Sequence, residues 1–388
     1  MQFQRFDRNA GRVEFAEDIL DAFERYLGEG DPIGDAAAGE LRDRSHWEAL
    51  ERSLVAWSAT ATAMPPHAQA VSAFLEEVTA IPPWLNRDAF PIASRLFFRA
   101  GQLGGTVLAF RSLLAGYISP AGNKPLTFSG RLTADTSKRL LETARFVVSI
   151  YSDGGLAPGG PGLRSATKVR LMHSNVRRAL RSEKARVSWG EWNEDRWGHP
   201  INQFDMAATI LLFSTVFLDG LMRLGFHVSH DEREAVQHVW RYIGTVMGVH
   251  HALLPSSYEA GLRHFRLITL VEGAPDKDST MLVASLLRAP VENAKSETER
   301  RRLERNRPLI LAIASDLLGA DRAAEVGIPH PGLPARAALL ALRQSVHGIE
   351  QIRERSSRLS TLAERLGRAH WQTVIEGRTE QFGDFWSA

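Results

Sequence analysis

Val169-Arg-Leu-Met-His-Ser-Asn-Val-Arg-Arg-Ala-Leu180 places Val169, His173, Val176 and Leu180 at spacings of four, three and four. That repeat marks one face of an α-helix, whereas a half-buried strand would alternate. Working outward, similar spacing predicts helices over Thr136–Tyr151, Ser165–Ser182, Asp205–Leu224, Glu232–Val249, Ser257–Thr269 and Ser279–Leu287. Further out, helices are expected over Val13–Leu27, Ser45–Ala61, Ala68–Val78, about Asp88–Tyr117, Ser296–Leu318 and Pro334–Leu366. Alternating β-branched runs closed by Asn-Gly or Asp-Gly turns are almost missing, so the chain reads as all-α. No repeat or linker divides it, and a single helical domain over 1–388 is expected.

Between two of these helices, Gly154-Gly-Leu-Ala-Pro-Gly-Gly-Pro-Gly162 cannot stay helical and reads as a loop. No Gly-Lys-Ser/Thr follows it and no strand precedes it, which excludes a P-loop and a dinucleotide cradle. Gly101, Gly104 and Gly105 lie within the Asp88–Tyr117 stretch, where they permit close approach of another backbone or of a flat ligand.

The 388 residues include 47 basic and 45 acidic ones, a net charge of +2, which demands no nucleic-acid partner. Six of the basic residues are lysine and the rest arginine, so a single arginine is weak evidence of a site. Cysteine is absent, which excludes disulfides, thiolate-ligated haem, iron–sulfur clusters and cysteine nucleophiles. A metal would have to sit on His, Asp, Glu or Tyr. The N-terminus is charged from the start and shows no secretory h-region, so a cytoplasmic location is expected. Met206–Leu218 is apolar but short, and reads as a buried helix rather than a transmembrane span. Peripheral membrane contact is compatible with this composition, and the oligomeric state is open.

His173 shares its face with apolar residues, while Arg170 and Arg177 flank it at three and four residues. Two readings stand. One is a hydrogen-bonded core histidine; the other is a haem ligand, with the arginines serving the propionates. Arg139 and Thr143 share a face of the preceding helix, and a buried arginine there needs an anion, either a ligand or an acid such as Glu142. In Trp197-Gly-His-Pro-Ile-Asn-Gln-Phe-Asp205, Asn202 suits an N-cap with Asp205 three residues on. Asn202, Gln203 and Asp205 could instead accept the second N–H of a ligand histidine. His250-His251 would point apart on a helix and make a poor chelate. Neither His-Glu-x-x-His, Glu-x-x-His nor Gly-x-Ser-x-Gly occurs, which weakens zinc-protease, di-iron and hydrolase readings.

Taken together, Arg139-Leu-Leu-Glu-Thr143, Val169-Arg-Leu-Met-His173 with Val176-Arg177, Trp197-Gly-His-Pro-Ile-Asn-Gln-x-Asp205, and Trp240-Arg241 with Gly244 form a recognisable set. Spanning about Ser129 to Gly248, it resembles the haem-containing family of latex-clearing proteins and mpaB-type oxygenases. The resemblance implies a globin-like helical core at approximately 88–270, flanked by helical extensions. It also implies b-type haem (iron protoporphyrin IX) with His173 as proximal iron ligand, and Arg139 and Thr143 as a polar pair nearby. The implied activity is oxidative cleavage of a carbon–carbon double bond in an apolar, isoprenoid or lipid-like substrate by dioxygen.

Two positions depart from the rubber-cleaving pattern. Glu142 stands where those relatives carry a lysine that can cap the iron. Around Gly122-Asn-Lys-Pro125 there is no carboxylate to match their upstream glutamate, so the base is unassigned, with Glu142 read either as its replacement from a different position or as a solvated ion-pair member. A haem-based dioxygen or redox sensor and a metal-free helical binding protein are the competing readings.

Overall fold

The computed structural model describes residues 3–41, 44–56, 69–128 and 136–376, and among them no strand forms. The longer helices in chain order are α1 (Glu17–Arg25), α2 (Pro32–Glu40), α3 (Arg44–Ala56), α4 (Gln69–Thr79), α5 (Ala89–Val107) and α6 (Thr136–Tyr151). Next come α7 (Pro161–Leu180), α8 (Gln203–Phe213), α9 (Thr215–Arg223), α10 (His230–Val246) and α11 (Tyr258–Val271). The last are α12 (Lys277–Glu292), α13 (Glu297–Leu318), α14 (Leu333–Glu354) and α15 (Ser357–Glu376). The all-α expectation holds. The ends of the helices expected at Ser45–Ala61 and Ala68–Val78, and Ser129 of the family-like stretch, lie outside the described residues.

Local chemistry starts many of these helices. Asp31 caps α2, its carboxylate accepting the Gly34 N–H at 3.0 Å, and Pro32 supplies the first helical residue. The Asp276 side chain accepts from Asp278 and Ser279 at the start of α12, and Ser296 accepts from Glu299 at the start of α13. Two expected helices are each divided. Ser214, at φ −106° and ψ −92°, separates α8 from α9, and α14 and α15 replace the single stretch Pro334–Leu366. The apolar run Gln203–Arg223 is long enough to cross a membrane, but most of it is buried within the protein.

The chain groups into two compact units, with most of the boundaries falling inside helices. The first comprises residues 1–94, 146–210 and 234–271, and the second 95–145, 211–233 and 272–388. In the first unit α2 packs against both α4 and α7. Leu20, Leu27, Phe74, Leu75, Leu171, Phe204 and Trp240 form its buried core, and the Trp240 indole N–H donates to the Tyr151 hydroxyl at 2.8 Å.

In the second unit the glycines of α5 serve helix packing. Gly101 takes φ +46°, kinking the helix, and a Cβ there would lie 3.3 Å from Gly367 of α15. A Cβ on Gly367 would overlap the Phe98 carbonyl. Gly104 and Gly105 face Phe217 and Trp371, and Phe97 stacks on Trp371 at 5.1 Å. After α5 the chain widens into a π-helical turn over Leu108–Leu113, a form that in general marks a local insertion in an α-helix.

Candidate functional site

Helix α7 inverts the burial expected from its sequence. Its buried stripe runs through Leu163, Ala166, Thr167, Arg170, Ser174 and Arg177, so it includes both arginines. Of the face expected to be apolar, Val169, His173 and Val176 are half-buried and only Leu180 is buried. Two long cations can occupy the interior only because carboxylates meet them there.

Those carboxylates come from α2, its cap and α4. Arg170 grips Asp31 in a bidentate pair, Nε to Oδ2 at 2.7 Å and Nη2 to Oδ1 at 2.8 Å. Nη2 also reaches Glu77 at 3.1 Å, and Nη1 donates to the Val246 carbonyl at 3.3 Å. Burial opposes the charge on Arg170, but Asp31 and Glu77 outweigh it and raise the guanidinium pKa. Arg177 donates through Nε to Asp35 at 2.8 Å, through Nη2 to the Ser174 hydroxyl at 2.8 Å, and through Nη1 to the Ile201 carbonyl at 3.1 Å. Its Nη2 also lies 3.7 Å from Asp31. Asp31 therefore sits between two arginines, with its side chain 3% exposed. The geometry corrects the expectation that Arg170 and Arg177 are held ready for propionates: acids and carbonyls of this chain already occupy them.

The surrounding backbone is shaped to this network. Ile201, whose carbonyl accepts from Arg177, has φ +48° and is the only non-glycine with positive φ among the described residues. Gly248 has φ +76°, and a Cβ there would lie 2.5 Å from the Arg170 guanidinium. That spacing admits glycine alone without displacing the arginine.

Asn202, Gln203 and Asp205 do not orient His173, which corrects the second of the two roles considered for them. The Asn202 carbonyl oxygen accepts the Asp205 N–H at 2.9 Å, an N-cap as the sequence suggested. Asp205 pairs with Arg5 at 2.8 and 2.9 Å. Gln203 donates to the carbonyls of Gly30 and Gly248 and accepts the His250 N–H at 2.8 Å. It thereby ties the turn before Asp31 to the turn beside Arg170. His250 and His251 lie with tilted rings 4.4 Å apart at the start of a short 3-10 helix, His250 capping it and His251 beginning it, and Tyr26 holds His250 Nδ1 at 2.8 Å. Among the described residues no group of three or more His, Cys, Asp or Glu is placed to hold a bare metal ion.

His173 is half-buried as a residue. Its Nδ1 is buried without a hydrogen-bond partner. Burial first, and then the neighbouring positive charge of Arg177, push its pKa down to about 4, with Asp31 opposing. The imidazole is thus neutral near pH 7, the form in which a nitrogen lone pair can bind a metal. One neutral histidine without companion ligands suits a metal that brings its own equatorial donors, so His173 fits a haem better than a bare ion.

In the second unit Arg139, Glu142 and Thr143 occupy successive turns of α6. The Arg139 guanidinium lies over the Tyr117 ring at 6.0 Å, and its Nη1 is buried with no hydrogen-bond acceptor. Lys124, in the stretch without a matching carboxylate, binds Asp276 at 2.7 Å and Asp278 at 2.5 Å. Sequence reasoning missed Asp31 and Asp35 altogether. The one available signal was Asp31-Pro32, an N-cap followed by proline inside a stretch that otherwise reads as a Gly- and Asp-rich loop.

Comparison with known proteins adds three findings. The family described as ER-bound oxygenase mpaB/B′/rubber oxygenase, catalytic domain, matches residues 93–350. A rubber oxygenase of Streptomyces sp. (strain K30) is 24% identical over 233 residues, covering 59% of this chain and 56% of that protein. A solved structure of latex clearing protein in the closed state aligns at a TM-score of 0.67 with 20% identity, over 89% of this chain and 91% of that one. At that identity the structural likeness shows the fold.

Proposed function

The chain belongs to the mpaB/B′ and rubber-oxygenase catalytic-domain family, and from that membership we propose that it is a haem-b-dependent oxygenase acting on an apolar, unsaturated, polyisoprene-like or lipid-like substrate. The observation that carries the proposal is His173, a neutral, half-buried imidazole whose Nδ1 is buried and unpartnered, inside the matched segment. When bound, haem supplies a redox-active iron for dioxygen chemistry at a carbon–carbon double bond, giving two carbonyl products.

The remaining roles belong to the protein. His173 would hold the iron, and the Asp31–Arg170–Arg177 network fixes the helix that carries it. Arg139, with its unsatisfied N–H, would serve negative charge that develops during the reaction, and Thr143, one turn along the same helix face, would offer a hydroxyl, as the family resemblance implies. Glu142, between them in sequence, is the candidate for proton transfer in place of the upstream glutamate found in rubber-cleaving relatives.

Protein purified from haem-supplemented cells should show a Soret band. His173→Ala should abolish it while leaving the far-UV circular dichroism unchanged. Incubating the ferrous protein with polyprenyl and unsaturated-lipid substrates under oxygen should give paired carbonyl products. A missing Soret band, or one untouched by His173→Ala, removes haem on His173. A normal band without carbonyl products across the panel leaves a dioxygen or redox sensor.

A further inference from the structure

Helix α15 has two unlike faces. Inward, Gly367 meets the Phe98 carbonyl and Trp371 stacks on Phe97, so this side is fixed by packing. Outward, Leu359, Leu362 and Leu366 are 39%, 50% and 63% exposed, a heavy apolar load for a solvated helix face. At roughly 100° per residue the three leucines fall within an arc of about 60°, and Arg358 and Arg365 border one edge of it. Arg355 precedes the helix, and all three arginines are exposed. Among the described residues none of the three has an ion-pair partner. The acids nearby are engaged elsewhere: Glu364 holds Arg368 at 2.9 Å, and Glu354 is shared by His227 and Arg353. The outward face is therefore apolar with a positive border, and it lies beyond residue 350, where the family match ends.

Its charge selects the occupant. A second copy docked two-fold on this face would bring Arg358 and Arg365 toward the same residues of its partner, a like-charge contact. An anionic lipid surface answers both features at once, because leucines can enter the boundary between headgroups and acyl chains while arginines reach lipid phosphates. We propose that Leu359, Leu362 and Leu366 of α15, bordered by Arg355, Arg358 and Arg365, dock the protein on an anionic bilayer.

The test is co-sedimentation of the full chain with phosphatidylserine-containing vesicles and with pure phosphatidylcholine vesicles. Alongside the parent run L359S/L362S/L366S and R355Q/R358Q/R365Q, both at exposed positions. The parent should pellet with the anionic vesicles and stay in solution with the neutral ones. Removing the three arginines should weaken partition by on the order of 100-fold, at roughly fivefold per surface arginine. Added salt should weaken the parent but hardly change the arginine-free variant. The leucine variant should lose binding while keeping the parent's melting temperature. Failure of the parent to bind anionic vesicles overturns the proposal, as does binding that survives both triple variants. A parent dimer in size-exclusion chromatography that L359S/L362S/L366S dissolves overturns it in favour of a second copy.

Discussion

Helices α7 and α6 both turn arginines away from solvent and treat them in opposite ways. On α7, Arg170 and Arg177 are met by Asp31, Asp35, Glu77, a serine hydroxyl and two backbone carbonyls. On α6, Arg139 keeps a buried Nη1 with no acceptor. A saturated buried cation holds structure together, while an unsaturated one carries a standing cost that a bound anion or polar ligand can repay. The difference teaches which arginines to associate with architecture and which with chemistry, although all three occupy family-like motifs.

The largest expected effect breaks the saturated side. Asp31→Ala leaves two interior guanidinia short of their shared carboxylate and should destabilise the protein by about 4 kcal/mol, the usual size for a broken buried pair. Urea denaturation gives the value, and a loss below about 1 kcal/mol would show that Asp35 and Glu77 suffice.

Acid should act next, through His173. Its folded pKa of about 4 lies below the ordinary 6.5, so between those values the unfolded chain binds the proton more readily. Stability of the haem-free protein should therefore fall as pH drops from 6.5 toward 4, by up to about 3 kcal/mol, and the dependence should flatten below 4. His173→Leu should remove that part of the slope, measured by thermal unfolding across the window. An unchanged slope would place the acid sensitivity on another group.

The smallest effect sharpens the contrast. Arg139→Met removes an unsatisfied buried donor and should change the stability of the haem-free protein by less than about 1 kcal/mol in either direction, whereas Arg170→Met strands Asp31 and should cost several times more. Oxygenase turnover, by contrast, should fall with Arg139→Met. A large stability loss there would mark Arg139 as a structural residue like the two on α7.

Much of the fold was legible because helices declare themselves through spacing. The class and the cap at Asn202 follow from short-range rules and are present, and the loop expected at Gly154–Gly162 is present up to Gly160, its last two residues opening α7. His173 could be singled out because its helix face, paired arginines and neighbouring motifs lie within one stretch of sequence. Asp31 could not. Its partners stand 139 and 146 positions away, counting from 31 to 170 and 177, and no local pattern encodes a contact at that distance. The same limit explains the misread arginines. Spacing placed them beside His173, but whether an internal acid or a ligand neutralised them depended on α2, which lies between the helices expected at Val13–Leu27 and Ser45–Ala61.

Asp31 has one further consequence. It lies, with Asp35 and Glu77, upstream of residues 93–350, the stretch that carries the family match. A chain cut at those limits would keep Arg170 and Arg177 and lose every acid that neutralises them. The stretch that carries the family match is thus smaller than what must fold together, and its counter-charges come from outside it.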